Sequence, residues 1–553
     1  MSPIPFSPQK PGRRGWPFVF VAAVWLVVAT QQITLPGVYM DAVNPDYLVV
    51  GLLNRNAQPI AAQLLNGNYL FGRAPVLINY YHGSQQVWLG LPFFALFGTT
   101  VAGLRLTHAM FALAILAALY ALLARGALRP WQAALACAAL AVDPAFSYAF
   151  RTQSYVTLAP TAWLFLSLYA LQRGAGSNAS AQKWLVASGA FYGLAISGYF
   201  IYTFYFPAML LAIWLWNQDI GDRPPGNWLR GTLPWWLCGL AAGAIFYPIG
   251  YGLNIRNVGG FAEAWSQFQQ TQRALGAFSA QIPFAARLAH LGTMLGAVVS
   301  NWYHHMLIFG EFAPLPGSLP KTWLLVAGPV ALWLYAEARR RSSVLLRILI
   351  ALPLSYLLIA LIFGTRLQGH HFVPLLPITY AALAVAMRAH AAALNPTGRW
   401  ATDGPVLVFA GIIALNLVGQ RDEARRLEDT RGVGLYSDAV NRLGADLAAM
   451  NPTPFVYFPD WGLSMPAAFL TRGTIGMAYV ENFPEGRRML CSGRDVAFAV
   501  ITGDRASRIA GWQRALHWGA PSISEYRQGD GKVVFELATF KGQRDAPACA
   551  DLR

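Results

Sequence analysis

The run WPFVFVAAVWLVVATQQITL (residues 16–35) is followed at once by Pro36-Gly37-Val38-Tyr39-Met40-Asp41-Ala42-Val43-Asn44-Pro45-Asp46-Tyr47. An α-helix rises about 1.5 Å per residue, so about 20 apolar residues cross a hydrocarbon core about 30 Å thick. The first run is long enough and uncharged, and it predicts a membrane-crossing helix. Asp41 and Asp46 then sit where that helix leaves the bilayer, and ionisable groups in such places are functional candidates. Lys10, Arg13 and Arg14 give the run a basic flank like that of a secretory signal. Its apolar part is too long for one and lacks a small-residue cleavage site, so it reads as a retained first span.

Working outward, ten further apolar runs are candidate spans: residues 101–124, 131–149, 155–171, 184–197, 199–216, 233–252, 323–336, 345–364, 372–387 and 405–419. The predicted fold is an α-helical polytopic membrane protein of about eleven spans with a small C-terminal α/β domain. Composition agrees, since 56% of the 553 residues are hydrophobic and only 12% charged, against about 25% charged in soluble domains. The formal charge of +16 is accounted for by basic cytoplasmic loops, which excludes nucleic acid as the expected partner. With the N-terminus inside, the inner loops carry Arg125 and Arg129, Arg173 and Lys183, Arg223 and Arg230, Arg339 to Arg341 with Arg347, and Arg388 with Arg399. This satisfies the positive-inside rule at each turn. Treating the run 288–309 as a crossing would expel the Arg339 to Arg341 cluster, so residues 254–321 are expected to form one external loop with surface-lying helices.

The expected organisation is therefore a membrane module over residues 1–420, with external loops at 37–100 and 254–321, and a soluble extracytoplasmic domain over 435–553. Short β-type runs at 455–458, 496–502 and 532–537 lie between helical stretches in that tail. Cys137 and Cys238 lie in apolar runs and read as core residues, whereas Cys491 and Cys549 lie in the polar tail, where an oxidising compartment would allow them to pair.

Within the first external loop, Asp46 before Tyr47 and Leu48 also suits a helix cap, and Asp41 does so less well. Tyr80-Tyr81-His82-Gly83 precedes the aromatic run 87–98, which suits a helix lying in the membrane interface, and Arg105 opens the next span. Asp460-Trp461-Gly462 is loosely similar to the Trp-Trp-Asp motif of oligosaccharyltransferases, but lacks the second Trp and reads as a turn. The tail domain reads as a cover over the membrane module or as a ligand-binding surface.

The order of span, Asp-containing loop, interfacial helix ending at Phe97-Gly98, Arg105 opening the next span, and Pro144 through Arg151 at the next outer turn resembles the GT-C superfamily. The likeness is strongest to transferases that use polyprenyl-phosphate sugars, such as protein O-mannosyltransferases and the lipid A aminoarabinose transferase. His370-His371-Phe372-Val373-Pro374-Leu375-Leu376-Pro377 is similar to that group's outer-turn motif. The resemblance covers about the first 390 residues and implies an inverting glycosyltransferase in a bacterial inner membrane. Asp41, or in second place Asp46, would be the general base, and the acceptor would be a lipid, glycan or protein. A phosphate leaving group needs cationic stabilisation, which arginine supplies in bidentate geometry. Arg73, Arg105, Arg151, Arg256 and Arg366 are the outer-side candidates, with Tyr47, His82, His370 and His371 as further substrate contacts.

Two departures from the group bear on metal. Ala42 stands where an acidic residue commonly follows the base, and Arg151-Thr152-Gln153-Ser154 replaces another acidic position. No cofactor is therefore expected, a divalent ion on His82, His304, His305, His370 or His371 being the alternative. Two other functional classes fit a polytopic chain: a lipid or glycan transporter, and a non-catalytic scaffold on the same fold. Scarce mid-membrane charge and absent repeat symmetry speak against the transporter, while the missing acidic neighbours suit the scaffold.

Overall fold

The computed structural model describes residues 15–57, 65–154, 158–174, 181–219, 228–274, 282–311, 315, 317–394, 400–479 and 485–552. Lys10, Arg13, Arg14, Arg223 and Arg399 of the charge argument lie outside them. The chain is a mostly helical, multi-pass membrane protein closed at one end by a small sheet domain. Five helical segments are long and apolar enough to cross a membrane: Val101–Arg125, Phe200–Gln218, Val344–Phe363, Gly369–Ala391 and Gly404–Thr430. Two bent pairs, Pro130–Ala141 with Pro144–Thr152 and Trp228–Gly243 with Phe246–Asn257, raise this to seven. The other four predicted spans form the helices Trp16–Thr30, Ala159–Gly174, Ala181–Gly198 and Ser318–Ala338, which fall outside that set by length or composition.

Eight helices matter for the site: α1 (Trp16–Thr30), α2 (Val101–Gly126), α3 (Pro130–Ala141), α4 (Pro144–Thr152), α5 (Trp302–Phe309), α6 (Gly369–Phe372), α7 (Leu375–Leu394) and α8 (Trp400–Thr430). The 52° bend between α3 and α4 has a local cause. Pro144 has no N–H to continue the helix, and the Asp143 carboxylate caps the new one by accepting from Ala145 N at 2.9 Å. Asp143 is fully buried; Lys321 Nζ lies 2.8 Å from one oxygen and Tyr380 Oη donates to the other at 2.6 Å. The break is thus pinned to α7 and to helix Ser318–Ala338, and the bundle carries a buried charge pair that hydropathy alone left unseen.

Helix packing relies on close approach where the sequence allows it. Gly189 and Gly193 face Gly239 and Gly243, and a Cβ on any of the four would fall within 2.4 Å of a carbonyl on the partner helix. Such small-residue spacing lets helix backbones touch in an environment where lipid offers no hydrophobic drive to pack. Cys238, beside this seam, is exposed rather than in the core, because the contact face is taken by the glycines and Trp236; Cys137 is buried as expected. The run 288–309 forms two helices, Phe284–Val299 and α5, parted at Asn301, whose φ of 64° ends the first helix.

The tail contains β1 (Phe455–Tyr457), β2 (Met477–Ala478), β3 (Val496–Ile501), β4 (Ser522–Arg527) and β5 (Val533–Phe540) in the order β2-β1-β3-β5-β4. The β1 pairings with β2 and β3 are parallel, and β5 pairs antiparallel with β3 and β4. Cys491 and Cys549 form a disulfide that ties the last segment to the helix after β2.

Candidate active site

The loop after α1 is folded between the bundle and the sheet domain. Val38, Tyr39, Ala42, Val43, Tyr47 and Leu48 pack in one apolar cluster with Met465, Ala468 and Phe469 of the tail. Tyr39 Oη donates to Trp461 O at 2.6 Å, and Gly37 N donates to Tyr436 O at 2.8 Å. Tyr47 is fully buried in this cluster and serves as packing.

A short 3-10 turn, Met40–Ala42, turns Asp41 toward the end of α4. Ser154 N donates to Asp41 O at 3.3 Å and Gln153 Nε2 to Asp41 Oδ2 at 3.2 Å. Asp41 is only 6% exposed. Burial raises its carboxyl from 3.8 to about 6, opposed by hydrogen bonds from the neutral amides of Gln153 and Asn44. Removing water penalises the charged form more than two amides compensate, which leaves a carboxylate that is ionised at neutral pH and readily reprotonated.

Asp46 has a different surrounding. It is fully buried, with His108 Nε2 at 2.8 Å and Gln86 Nε2 at 2.8 Å on the same oxygen. His108 Nδ1 lies 3.2 Å from Phe150 O, so this imidazole joins the loop, α2 and α4. Asp46 caps nothing; its side chain is spent across the bundle.

The five arginines divide in two. Arg105 donates from its terminal nitrogens to Phe150 O (3.2 Å) and Pro36 O (3.3 Å). Arg151 donates to Leu35 O (3.1 Å), Gln31 O (2.6 Å) and Ala29 O (3.4 Å). Both are buried and tie the exit of α1 to α2 and α4, neutralising carbonyls that have no helical partner there. Their assignment to substrate is thereby displaced by a positioning part. Arg73, Arg256 and Arg366 are exposed, and among the described residues none has a hydrogen bond or ion pair to the Asp41 surroundings.

The imidazoles, in contrast, converge. Gln153, which holds Asp41, also adjoins Tyr303 of α5. Tyr303 Oη lies 3.2 Å from His370 Nδ1 in α6, and the His370 and His371 rings are 3.9 Å apart. His371 Nε2 is 3.2 Å from Tyr199 Oη, and the Tyr199 backbone bridges His82. His304 Nδ1 lies 2.9 Å from Thr152 Oγ1. Burial pushes His304 and His82 down to about 3, so both are neutral. The structure therefore brings Asp41, His82, His370 and His371 into one chain of contacts. It adds Gln153 and Tyr303, whose residue types carry no signal in sequence. Among the described residues no group of three or more His, Cys, Asp or Glu is placed to hold a metal ion; His304 lies against a hydroxyl, His370 and His371 against phenols, and His305 Nδ1 lies 2.8 Å from Glu423 Oε1.

A family model described as dolichyl-phosphate-mannose-protein mannosyltransferase matches residues 86–251. No curated protein matches the chain. ArnT from Cupriavidus metallidurans bound to undecaprenyl phosphate is 15% identical and superposes over 97% of this chain and 100% of its own, with a TM-score of 0.59. The same protein in the apo state gives 14%, 95%, 98% and 0.55. An Archaeoglobus fulgidus oligosaccharyltransferase in complex with Zn and sulfate is 13% identical over 94% of this chain and 72% of its own, with a TM-score of 0.53. At such identities the likeness is one of fold.

Proposed function

We propose that this chain, which shares the fold of ArnT, is a glycosyltransferase of the GT-C superfamily that transfers a sugar from a polyprenyl-phosphate donor to a lipid, glycan or protein acceptor, with Asp41 as general base. The acceptor oxygen or nitrogen attacks the anomeric carbon and gives its proton to Asp41. The bond from that carbon to the phosphate oxygen breaks on the opposite face, so the anomer inverts and polyprenyl phosphate leaves as the anion without needing a proton. The observation that carries this reading is the Asp41 carboxyl, buried against two amides and raised to about 6, near the pH at which a base works best.

The reading extends to placement: about eleven spans in a bacterial inner membrane, the N-terminus cytoplasmic and the 435–553 domain outside. Its support is the alternation of basic loops and the Cys491–Cys549 bond, which suits an oxidising compartment. Asp46, Arg105 and Arg151 act as positioning residues in this scheme.

The test is sugar transfer from radiolabelled polyprenyl-phosphate sugars by the purified full chain, with and without Asp41→Asn. Transfer that is lost in the variant supports the proposal. Transport of lipid without transfer, or a variant as fast as the parent, sinks it.

A further inference from the structure

Resting on that reading of the donor, we propose that the donor's phosphate is held by imidazoles, with His304 as its principal ligand and His370 beside it, rather than by arginine.

The arginines are otherwise placed. Arg105 and Arg151 give their terminal nitrogens to main-chain carbonyls, and Arg73, Arg256 and Arg366 stand exposed and apart. What adjoins the base instead is α5. Thr152 and Gln153 are consecutive; the first bonds His304 and the second bonds Asp41. Tyr303 packs edge-on to His304 with ring centroids 5.4 Å apart and reaches His370 at 6.3 Å. Imidazole and carboxylate are thus held by consecutive residues at the end of α4, one available to the leaving phosphate and the other to the attacking nucleophile.

An independent observation points to a missing partner. His304 is fully buried, yet its Nε2 has no hydrogen-bond partner among the described residues. An unsatisfied buried polar atom costs about 1–3 kcal/mol, and native structures seldom leave one without reason. When Thr152 turns its hydroxyl proton toward Nδ1, Nε2 carries the N–H, a donor suited to a phosphate oxygen. The same nitrogen donates if the imidazole takes up a second proton against the anion.

The probe is undecaprenyl phosphate, compared with undecaprenol, on the purified full chain in nanodiscs. The parent is expected to prefer the phosphate by at least about tenfold. His304→Ala should shrink that preference to within about threefold with undecaprenol affinity unchanged, which also reports an intact fold. His304→Gln, which keeps an amide donor, should retain part of it, and Arg256→Ala and Arg366→Ala all of it. Inorganic phosphate at millimolar concentration should not displace the lipid; displacement would assign these imidazoles to free phosphate and overturn the proposal. A full preference in His304→Ala, or its loss in an arginine variant, overturns it while leaving Asp41 as base. A parent that does not distinguish phosphate from alcohol removes the donor reading itself.

Discussion

Asp41 and Asp46 leave the same helix on the same buried loop, five residues apart, and meet opposite surroundings. Asp46 has an imidazole and an amide on one oxygen at 2.8 Å each, which ties it across the bundle. Asp41 has only amides, and burial dominates its protonation. A buried carboxylate with a dedicated partner fastens structure; one held only by amides remains able to exchange a proton. The contrast teaches that depth of burial does not separate the two carboxylates, whereas the kind of group that meets each one does.

The sharpest way to break the comparison is to neutralise each in turn. Asp41→Asn should lower transfer by about 10²- to 10⁴-fold, the usual contribution of a general base, with the fold intact. Asp46→Asn should instead cost about 1–3 kcal/mol of stability, the expected penalty for leaving a buried donor without its acceptor, with the folded fraction still active. Single-turnover transfer and thermal unfolding of both variants decide it. If Asp46→Asn is stable and dead while Asp41→Asn is active, the roles are reversed.

pH sharpens it next. Transfer should rise as pH climbs through about 6, where Asp41 loses its proton. Stability moves the other way. The native carboxyl binds its proton more tightly than the unfolded one, so its contribution to the native state is complete below 3.8 and is lost as pH rises through about 6. By pH 8 this amounts to about 3 kcal/mol. Asp41→Asn escapes the loss, so it should be more stable than the parent by up to about 3 kcal/mol at pH 8, and by about half that near pH 5. An equal gap at both pH values, read by thermal unfolding in detergent, would place the burial cost elsewhere.

The spans were legible because crossing a bilayer fixes the length and polarity of a helix, so residues 101–124, 345–364 and 372–387 stood out on hydropathy alone. The bend at Asp143 and its Lys321 partner were not, since their meeting depends on which helices become neighbours. Asp41, His82, His370 and His371 were legible as ionisable groups at predicted outer turns. Gln153 and Tyr303 were not, because an amide and a phenol have no preferred spacing from a carboxylate they approach only through tertiary packing. The arginines misled for a related reason. Arg105 and Arg151 fall at helix ends where a phosphate ligand would, but the exit of α1 presents unpaired carbonyls there, and those compete for the same donors. In the tail, β3 and β5 announced themselves by apolar β-branched runs; β4 is polar and exposed on most of its positions, and is held in the sheet by pairing with β5.

The smallest predicted effect asks whether the sheet domain takes part in the contrast at all. Gly462 has φ +90°, and a Cβ there would lie 2.8 Å from Tyr39 Oη and 3.0 Å from Met40 Cβ, the residue before Asp41. Gly462→Ala carries backbone strain of about 1–3 kcal/mol and pushes on the turn that aims Asp41. We expect a loss in kcat of about tenfold, since small displacements of a reacting group are costly, with Asp46 and its His108 contact undisturbed. Trp461→Ala is the matched control, because Tyr39 binds the Trp461 carbonyl and the indole is 55% exposed. If Gly462→Ala slows transfer and Trp461→Ala does not, the domain acts by placing the loop backbone. Equal rates in both would confine the positioning of Asp41 to Gln153, Asn44 and Ser154, with the domain merely resting on the loop.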